Sequence, residues 1–377
     1  MRKSMQTTEE RQRHPWLAKL HIDGPLLLGL IALSCVSLFV IYSAGGQDLG
    51  LVQRQVIRMG ISFGVLFIVA QIAPDTFRTY AFPVYIAGLL MLVAVMFFGV
   101  TGKGAQRWLD IGVTRIQPSE IMKLAVPIML AWYCARNPLP IRFLQVLGGL
   151  LLVIAPTLLI AQQPDLGTSV LVASSGIFAL FLAGMSWRLV FAGIVALGAS
   201  LPVFWFFLLR EYQRQRVLTF LNPESDPLGS GYHIIQSKIA IGSGGFEGKG
   251  WLQGTQSQLE FLPERHTDFI FSVFSEEFGF IGVVALLALY GFVIFRGMLL
   301  SIRAQSNFQR ILGGSITLTF FIYVLVNIGM VSGVLPVVGV PLPLISYGGT
   351  SMVTMMAGFG IIMGIATHRR LAISQST

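Results

Sequence analysis

Residues Phe269 to Phe295 read FIFSVFSEEFGFIGVVALLALYGFVIF, and Pro263 to Asp268, PERHTD, stand directly before them. The apolar run exceeds the ~20 residues a helix needs to cross a bilayer, so it reads as a membrane span. Pressed against its start are Glu264, Arg265, His266 and Asp268. Glu276 and Glu277 stand two turns further along the same expected helix, and uninterrupted apolar sequence resumes only at Phe278. Ionisable side chains at membrane depth are costly, so they face a polar cavity or a partner. The bland alternative is that Asp268 caps the helix, a place where Asp is favoured anyway. Thr267 would serve that purpose as well, and capping gives no reason for Glu264, Arg265 and His266.

The rest of the chain agrees with a membrane setting. Of 377 residues, 54% are apolar and 11% charged, against about 25% charged in a soluble domain. The mean hydropathy is +0.74. Ten apolar stretches are long enough to span, at 25–43, 56–73, 80–99, 119–135, 144–161, 168–184, 188–209, 269–295, 311–333 and 345–367. The expected fold is therefore all-α and polytopic, one integral-membrane domain over 1–377 with no fixed-period repeat. Residues 1–24 are too polar for a signal peptide and read as a cytoplasmic tail. The largest loop, 210–268, falls between the seventh and eighth spans.

Lys and Arg in the loops set the orientation. With the N-terminus inside, the cytoplasmic segments hold residues such as Arg2, Lys3, Arg78, Arg136, Arg142, Arg296, Arg303 and Arg310. The external loops and their margins hold only Arg54, Arg58, Lys103, Arg107 and Arg115 among their short stretches. An even number of spans puts both termini inside. Every loop of unusual composition, 100–118, 161–167, 210–268 and 334–349, then faces outside. The same basic loops account for a pI near 9.8 without nucleic acid.

Glu120 and Lys123, three apart in QPSEIMKLAV, share a helix face and read as an ion pair. Asp165, in QQPDLGTS, is either a cap for the sixth span or a support for chemistry. The stretch GSGGFEGKGWLQGT, 242–255, is so rich in glycine that it reads either as a flexible loop or as a nest of amides converging on an anion. A short interfacial helix is expected around Ile234–Ile241. His233 and His266 form no metal motif, and Cys35 and Cys134 read as buried thiols.

Several long strings together resemble the RodA branch of the SEDS (shape, elongation, division and sporulation) family. They are the stretch from FLNPESDPLGSGYH to HTDFIFSVFSEEFG at 220–279, with GAQRWLDIG, QPSEIMKLA, QPDLGTSV and GVPLPLISYGGTSM in the family's order. The resemblance implies a peptidoglycan glycosyltransferase that polymerises lipid II at the outer face of the bacterial cytoplasmic membrane during cell elongation. It implies a class B penicillin-binding transpeptidase and other elongation-complex (Rod/Mre) proteins as partners. The family's catalytic acid falls on Asp268, and its supporting residues on Glu120, Lys123 and Asp165.

The implied chemistry suits the residues. The acceptor hydroxyl loses a proton to a general base, a role open to a carboxylate. The leaving pyrophosphate needs cations rather than an acid. Arg107, Lys238, Lys249, Arg265 and His266 are the expected binding groups, with a divalent cation, Mg²⁺ or Mn²⁺, as a further option. The competing reading is a lipid II flippase. Transporters often carry inverted repeats and midplane broken helices, whereas here no repeat is found and the acids gather at one set of helix ends.

Overall fold

The computed structural model describes residues 20–102, 105–110, 112, 115–208, 211–225, 230–258 and 265–368. Most of the expected tail and Glu264 lie outside them. Ten helices answer the ten apolar stretches. They are α1 (Gly24–Ala44), α2 (Leu49–Ala70), α3 (Pro74–Phe98), α4 (Pro118–Ala135), α5 (Phe143–Gln162), α6 (Leu166–Leu182) and α7 (Trp187–Val203), then α11 (Ile270–Ile302), α12 (Asn307–Val331) and α13 (Thr350–Thr367). Between α7 and α11 lie α8 (Glu211–Leu221), α9 (Ser230–Ser243) and the short α10 (Thr255–Gln258). The expected interfacial helix is α9. Seven helices, α1, α2, α3, α5, α11, α12 and α13, are long and apolar enough to cross a membrane, and α6 and α7 contain shorter apolar helices. The chain is an all-α polytopic membrane protein.

Local chemistry sets the helix starts. Asp23 and Asp48 accept hydrogen bonds from Leu26 N and Gly50 N, and Ser306 with Gln309 forms a reciprocal capping box. Contacts between distant residues gather helix termini at two ends. At one end Arg296 holds Asp23 at 2.7 Å and His21 stacks on His368. The other end gathers Gly46, Asp165, the 265–268 segment and the 334–349 connection. We call it the site end.

Cys134 is buried as expected, but Cys35 is exposed on α1. Four further features differ from the sequence reading. Within 100–118, expected as a polar loop, β1 (Val100–Gly102), β2 (Ala105–Asp110) and β3 (Arg115–Ile116) form a small antiparallel sheet in order β1-β2-β3. Helix α2 starts at Leu49 rather than 56, which takes Arg54 inside it and moves Arg58 from its edge to its third turn. The last span starts at Thr350 rather than 345, because the preceding connection folds back into the bundle. There Leu342, Leu344 and Ile345 are buried, Tyr290 of α11 donates to Pro343 O at 2.6 Å and Ser37 of α1 donates to Ile345 O at 2.7 Å. Non-helical backbone at such depth is tolerated because protein surrounds it and supplies donors.

The fourth difference is in α11 itself. Its 33 residues would reach about 50 Å as one rod, but the backbone breaks at Gly279, with φ 61° and ψ −162°. Residues 270–278 form a separate segment that points Asp268 into the site end.

Candidate active site

The three carbonyls of residues 266–268 are each taken by a different donor. Tyr347 N donates to His266 O at 2.8 Å, Ser346 Oγ to Thr267 O at 2.6 Å, and Asn327 Nδ2 to Asp268 O at 2.9 Å. Asn327, fully buried on α12, also donates to Val340 O at 2.7 Å. The segment is therefore pinned between α12 and the re-entrant connection. The N-cap of α11 is Phe269, with no side-chain cap bond. Asp268 thus stands one residue before the cap residue. Its Oδ2 lies over Gly339, 3.5 Å from where a Cβ would stand, and Gly339 has φ 72°. Any side chain there would be strained and would crowd the carboxylate.

One turn deeper on α12, Tyr323 faces the Glu120–Lys123 pair. Lys123 Nζ is 2.6 Å from Glu120 Oε1 and 5.2 Å from the centre of the Tyr323 ring. Both charged side chains are almost fully buried. Glu120 Oε2, Tyr323 OH and Ser351 Oγ are buried without a hydrogen-bond partner, so the neighbourhood has unspent polar capacity. Below it an apolar crevice of about 30 Å³ runs between α4, α12 and α13, past Leu124, Phe320 and Phe359.

Asp165 is nearly buried and occupied. It caps α6, accepting from Thr168 N at 3.1 Å, and takes Gln117 Nε2 at 3.3 Å. Arg107 Nε, from β2, lies 3.8 Å away, and the Arg107 guanidinium also donates to Pro164 O. Gly167, two residues on, packs against Val338 O, next to the Gly339 that underlies Asp268.

The expected pyrophosphate ligands divide. Lys249 Nζ is 2.7 Å from Glu276 Oε1, a carboxylate with no exposed surface. The same oxygen accepts from Thr255 Oγ1 and Gln256 N, both at 3.0 Å. Arg107 is likewise committed to Asp165. Lys238 is exposed on α9, its stem lying over Gly333. Arg265 reaches Gly46 in the α1–α2 turn, and His266 meets the Tyr347 ring edge-on at 5.7 Å between centroids. Among the described residues no group of three or more His, Cys, Asp or Glu is placed to hold a metal ion.

The glycine-rich stretch is a clamp. Lys249 N and Gly250 N donate to Glu276 O and Glu277 O, while Phe280 N and Ile281 N donate to Gly245 O and Phe246 O. These four bonds satisfy the backbone groups that the break at Gly279 releases. Ser43 Oγ of α1 holds the Glu277 carboxylate from the other side. Ser237 of α9 shares a 2.7 Å hydrogen bond with Ser272. The outer loop and the segment behind Asp268 are thus joined at several points.

Four residues of this end escaped the sequence reading: Asn327, Tyr347, Arg54 and Arg58. Arg54 Nε donates to Tyr347 OH at 3.3 Å, and the Arg58 guanidinium sits over the Tyr347 ring at 4.2 Å. Their one sequence signal was polarity at the edge or within an apolar run.

Comparisons with known proteins agree with this geometry. A family model covering FtsW, RodA and SpoVE, described as "Cell cycle protein", matches residues 16–371. The chain is 54% identical over 364 residues to the peptidoglycan glycosyltransferase MrdB of Escherichia coli K12, covering 97% of this chain and 98% of that one. It is 35% identical over 360 residues to a probable peptidoglycan glycosyltransferase FtsW of Geobacter sulfurreducens, covering 92% and 95%. Among solved structures, a chain from a peptidoglycan synthase complex that coordinates polymerization and crosslinking superimposes with a TM-score of 0.80 at 33% identity, covering 91% of this chain and 97% of that one. The rod shape determining protein RodA of Thermus thermophilus gives 0.70 at 29%, covering 93% and 98%. With the family model spanning nearly the whole chain, this protein belongs to the FtsW/RodA/SpoVE family, on its RodA side.

Proposed function

We propose that this chain is a peptidoglycan glycosyltransferase that polymerises lipid II at the outer face of the bacterial cytoplasmic membrane. In this reading the site end faces outward and both termini face the cytoplasm, which the distribution of Lys and Arg in the loops supports. Asp268 is the general base. It takes the proton of the acceptor sugar's 4-hydroxyl while that oxygen forms a bond to the donor's anomeric carbon. The bond from that carbon to the phosphate oxygen breaks, and undecaprenyl pyrophosphate leaves as an anion. One base on the face opposite the leaving group suits inversion at that carbon.

The observation that carries this reading is the treatment of Asp268. Its backbone is fixed by Asn327 and its neighbours by Ser346 and Tyr347, and its Oδ2 lies beside the positive-φ Gly339. A backbone fixed on both sides of a carboxylate is what a positioned base needs. Glu120, Lys123 and Asp165 shape the surrounding cavity. The partner is a class B penicillin-binding transpeptidase, in keeping with the synthase complex whose chain superimposes on this one.

The test is purified protein with labelled lipid II in detergent. Glycan polymer is the expected product. Detergent has no sidedness, so a flippase would yield none, and absence of polymer with and without the transpeptidase would reject the transferase reading.

A further inference from the structure

Among the described residues Arg58 has no carboxylate as counter-charge. It lies nine residues into α2, roughly 13 Å along the axis from the helix start, and is half-buried. An ionisable group at that depth normally faces a partner or a cavity. Among the described residues no carboxylate stands within ion-pair range of it and no acceptor takes its guanidinium protons. Its guanidinium lies over the face of the Tyr347 ring, 4.2 Å away. The other cations of this end are differently placed, since Arg107 meets Asp165, Lys123 meets Glu120 and Lys249 meets Glu276.

Arg54 stands one turn above on the same face of α2, as i, i+4 spacing requires. Its Nε donates to the Tyr347 hydroxyl at 3.3 Å, and its Nη2 is 3.7 Å from Asp48 in an exposed, weak pair. Tyr347 is therefore the hub. Arg58 covers its face and Arg54 its hydroxyl, while its amide and ring edge hold His266, two residues before Asp268. A guanidinium is a planar fork that matches phosphate oxygens and stacks on aromatic rings, the two things Arg58 is placed to do. Beside the arginines α2 exposes Val56, Ile57 and Ile61. An anion held here with an apolar chain attached would lay that chain along this surface.

We propose that Arg58, with Arg54 and the Tyr347 ring, seats the pyrophosphate of the lipid-linked substrate. The assignment rests on the glycosyltransferase reading. It takes the place of Lys249, whose charge is held by Glu276 at 2.7 Å. Two arginines one helical turn apart are suited to two linked phosphates. The Tyr347–His266 contact sets that seat beside Asp268, where bond breaking and proton removal must occur together.

The test is direct binding of radiolabelled undecaprenyl pyrophosphate to the full-length protein in detergent, with melting temperatures of the same preparations. Loss of a charge-assisted contact predicts about 10- to 100-fold weaker binding for Arg58→Gln. Arg54→Gln should lose less, and Arg58→Lys should retain part of the affinity. Wild-type affinity in Arg58→Gln would overturn the assignment. Should that variant not fold, undiminished binding in both Arg58→Lys and Arg54→Gln would overturn it equally. Two competition arms identify the ligand. Phosphatidylglycerol displacing the label as well as unlabelled undecaprenyl pyrophosphate does would make this a bulk anionic-lipid site and reject the proposal. Inorganic pyrophosphate competing equally would reject its lipid-linked part. Binding needs no turnover, so a wild type that binds through Arg58 but makes no polymer refutes the transferase reading alone. A wild type that polymerises while Arg58→Gln binds normally refutes the seat alone.

Discussion

Asp165 and Asp268 each stand at the entrance of an apolar helix, at the same end of the bundle, and are used differently. Asp165 is the cap of α6, and Gln117 and Arg107 converge on it as well. Asp268 stands one residue before the cap of α11, and three hydrogen bonds fix its main chain and that of the two residues before it. Glu120 and Glu276 side with Asp165, each bound to a lysine. The contrast separates acids that hold the fold from an acid that the fold holds. Changing the first kind should register mainly in stability, and changing Asp268 should register in turnover.

The largest stability effect is expected where a charge would be stranded. Glu120→Ala leaves Lys123 buried without its partner, which costs roughly 3–5 kcal/mol. The double change Glu120→Ala/Lys123→Ala should cost less than the sum of the singles in thermal or denaturant unfolding. Strict additivity would mean that the 2.6 Å contact does not couple them. Next comes Asp268→Glu. Moving the carboxylate by a methylene should lower the polymerisation rate by about 10²-fold, as a displacement of about 1 Å can do, with the melting temperature nearly unchanged. A large fall in melting temperature would place Asp268 among the structural acids instead.

Lys249→Met should cost about 1–3 kcal/mol, because Glu276 keeps Thr255 and Gln256 as donors. Lys249→Met/Glu276→Gln should recover part of that loss, and no recovery would argue against the pair. The smallest effect belongs to Asp165→Asn. Asn caps nearly as well as Asp, and the 3.8 Å contact with a part-exposed Arg107 is worth about 0–1 kcal/mol. Loss of turnover on the Asp268→Glu scale would erase the distinction drawn here.

Much of the fold was legible because membrane spans are written in local composition. All ten apolar stretches became helices, most with ends within a few residues. The i, i+3 rule was enough to foresee Glu120 with Lys123. What depended on distant contacts was not legible. The glycines at 244–250 carry no local sign that they clamp a helix break some thirty residues away, and Gly279 sits inside an apolar run that periodicity reads as continuous. Tyr347 lies in a connection whose burial arises only when Tyr290 and Ser37 draw it into the bundle. Arg54 lay outside and Arg58 just inside the second apolar stretch, 56–73, so both looked like loop margin. Their meaning appears only when α2 brings them to Tyr347. Capping is the instructive case for Asp165 and Asp268: residue type and position left it open for both, and the backbone geometry divides them.

The central claim is that Asp268 removes a proton and does not hold the helix. Asp268→Asn is nearly isosteric and keeps any structural hydrogen bonding, but cannot act as the base. Lipid II polymerisation by this variant, with its melting temperature and lipid II binding measured on the same preparation, is the most direct test. The account predicts a folded, substrate-binding protein whose rate is lower by roughly 10²–10⁴-fold. Glycan synthesis at near wild-type rate by Asp268→Asn would contradict it.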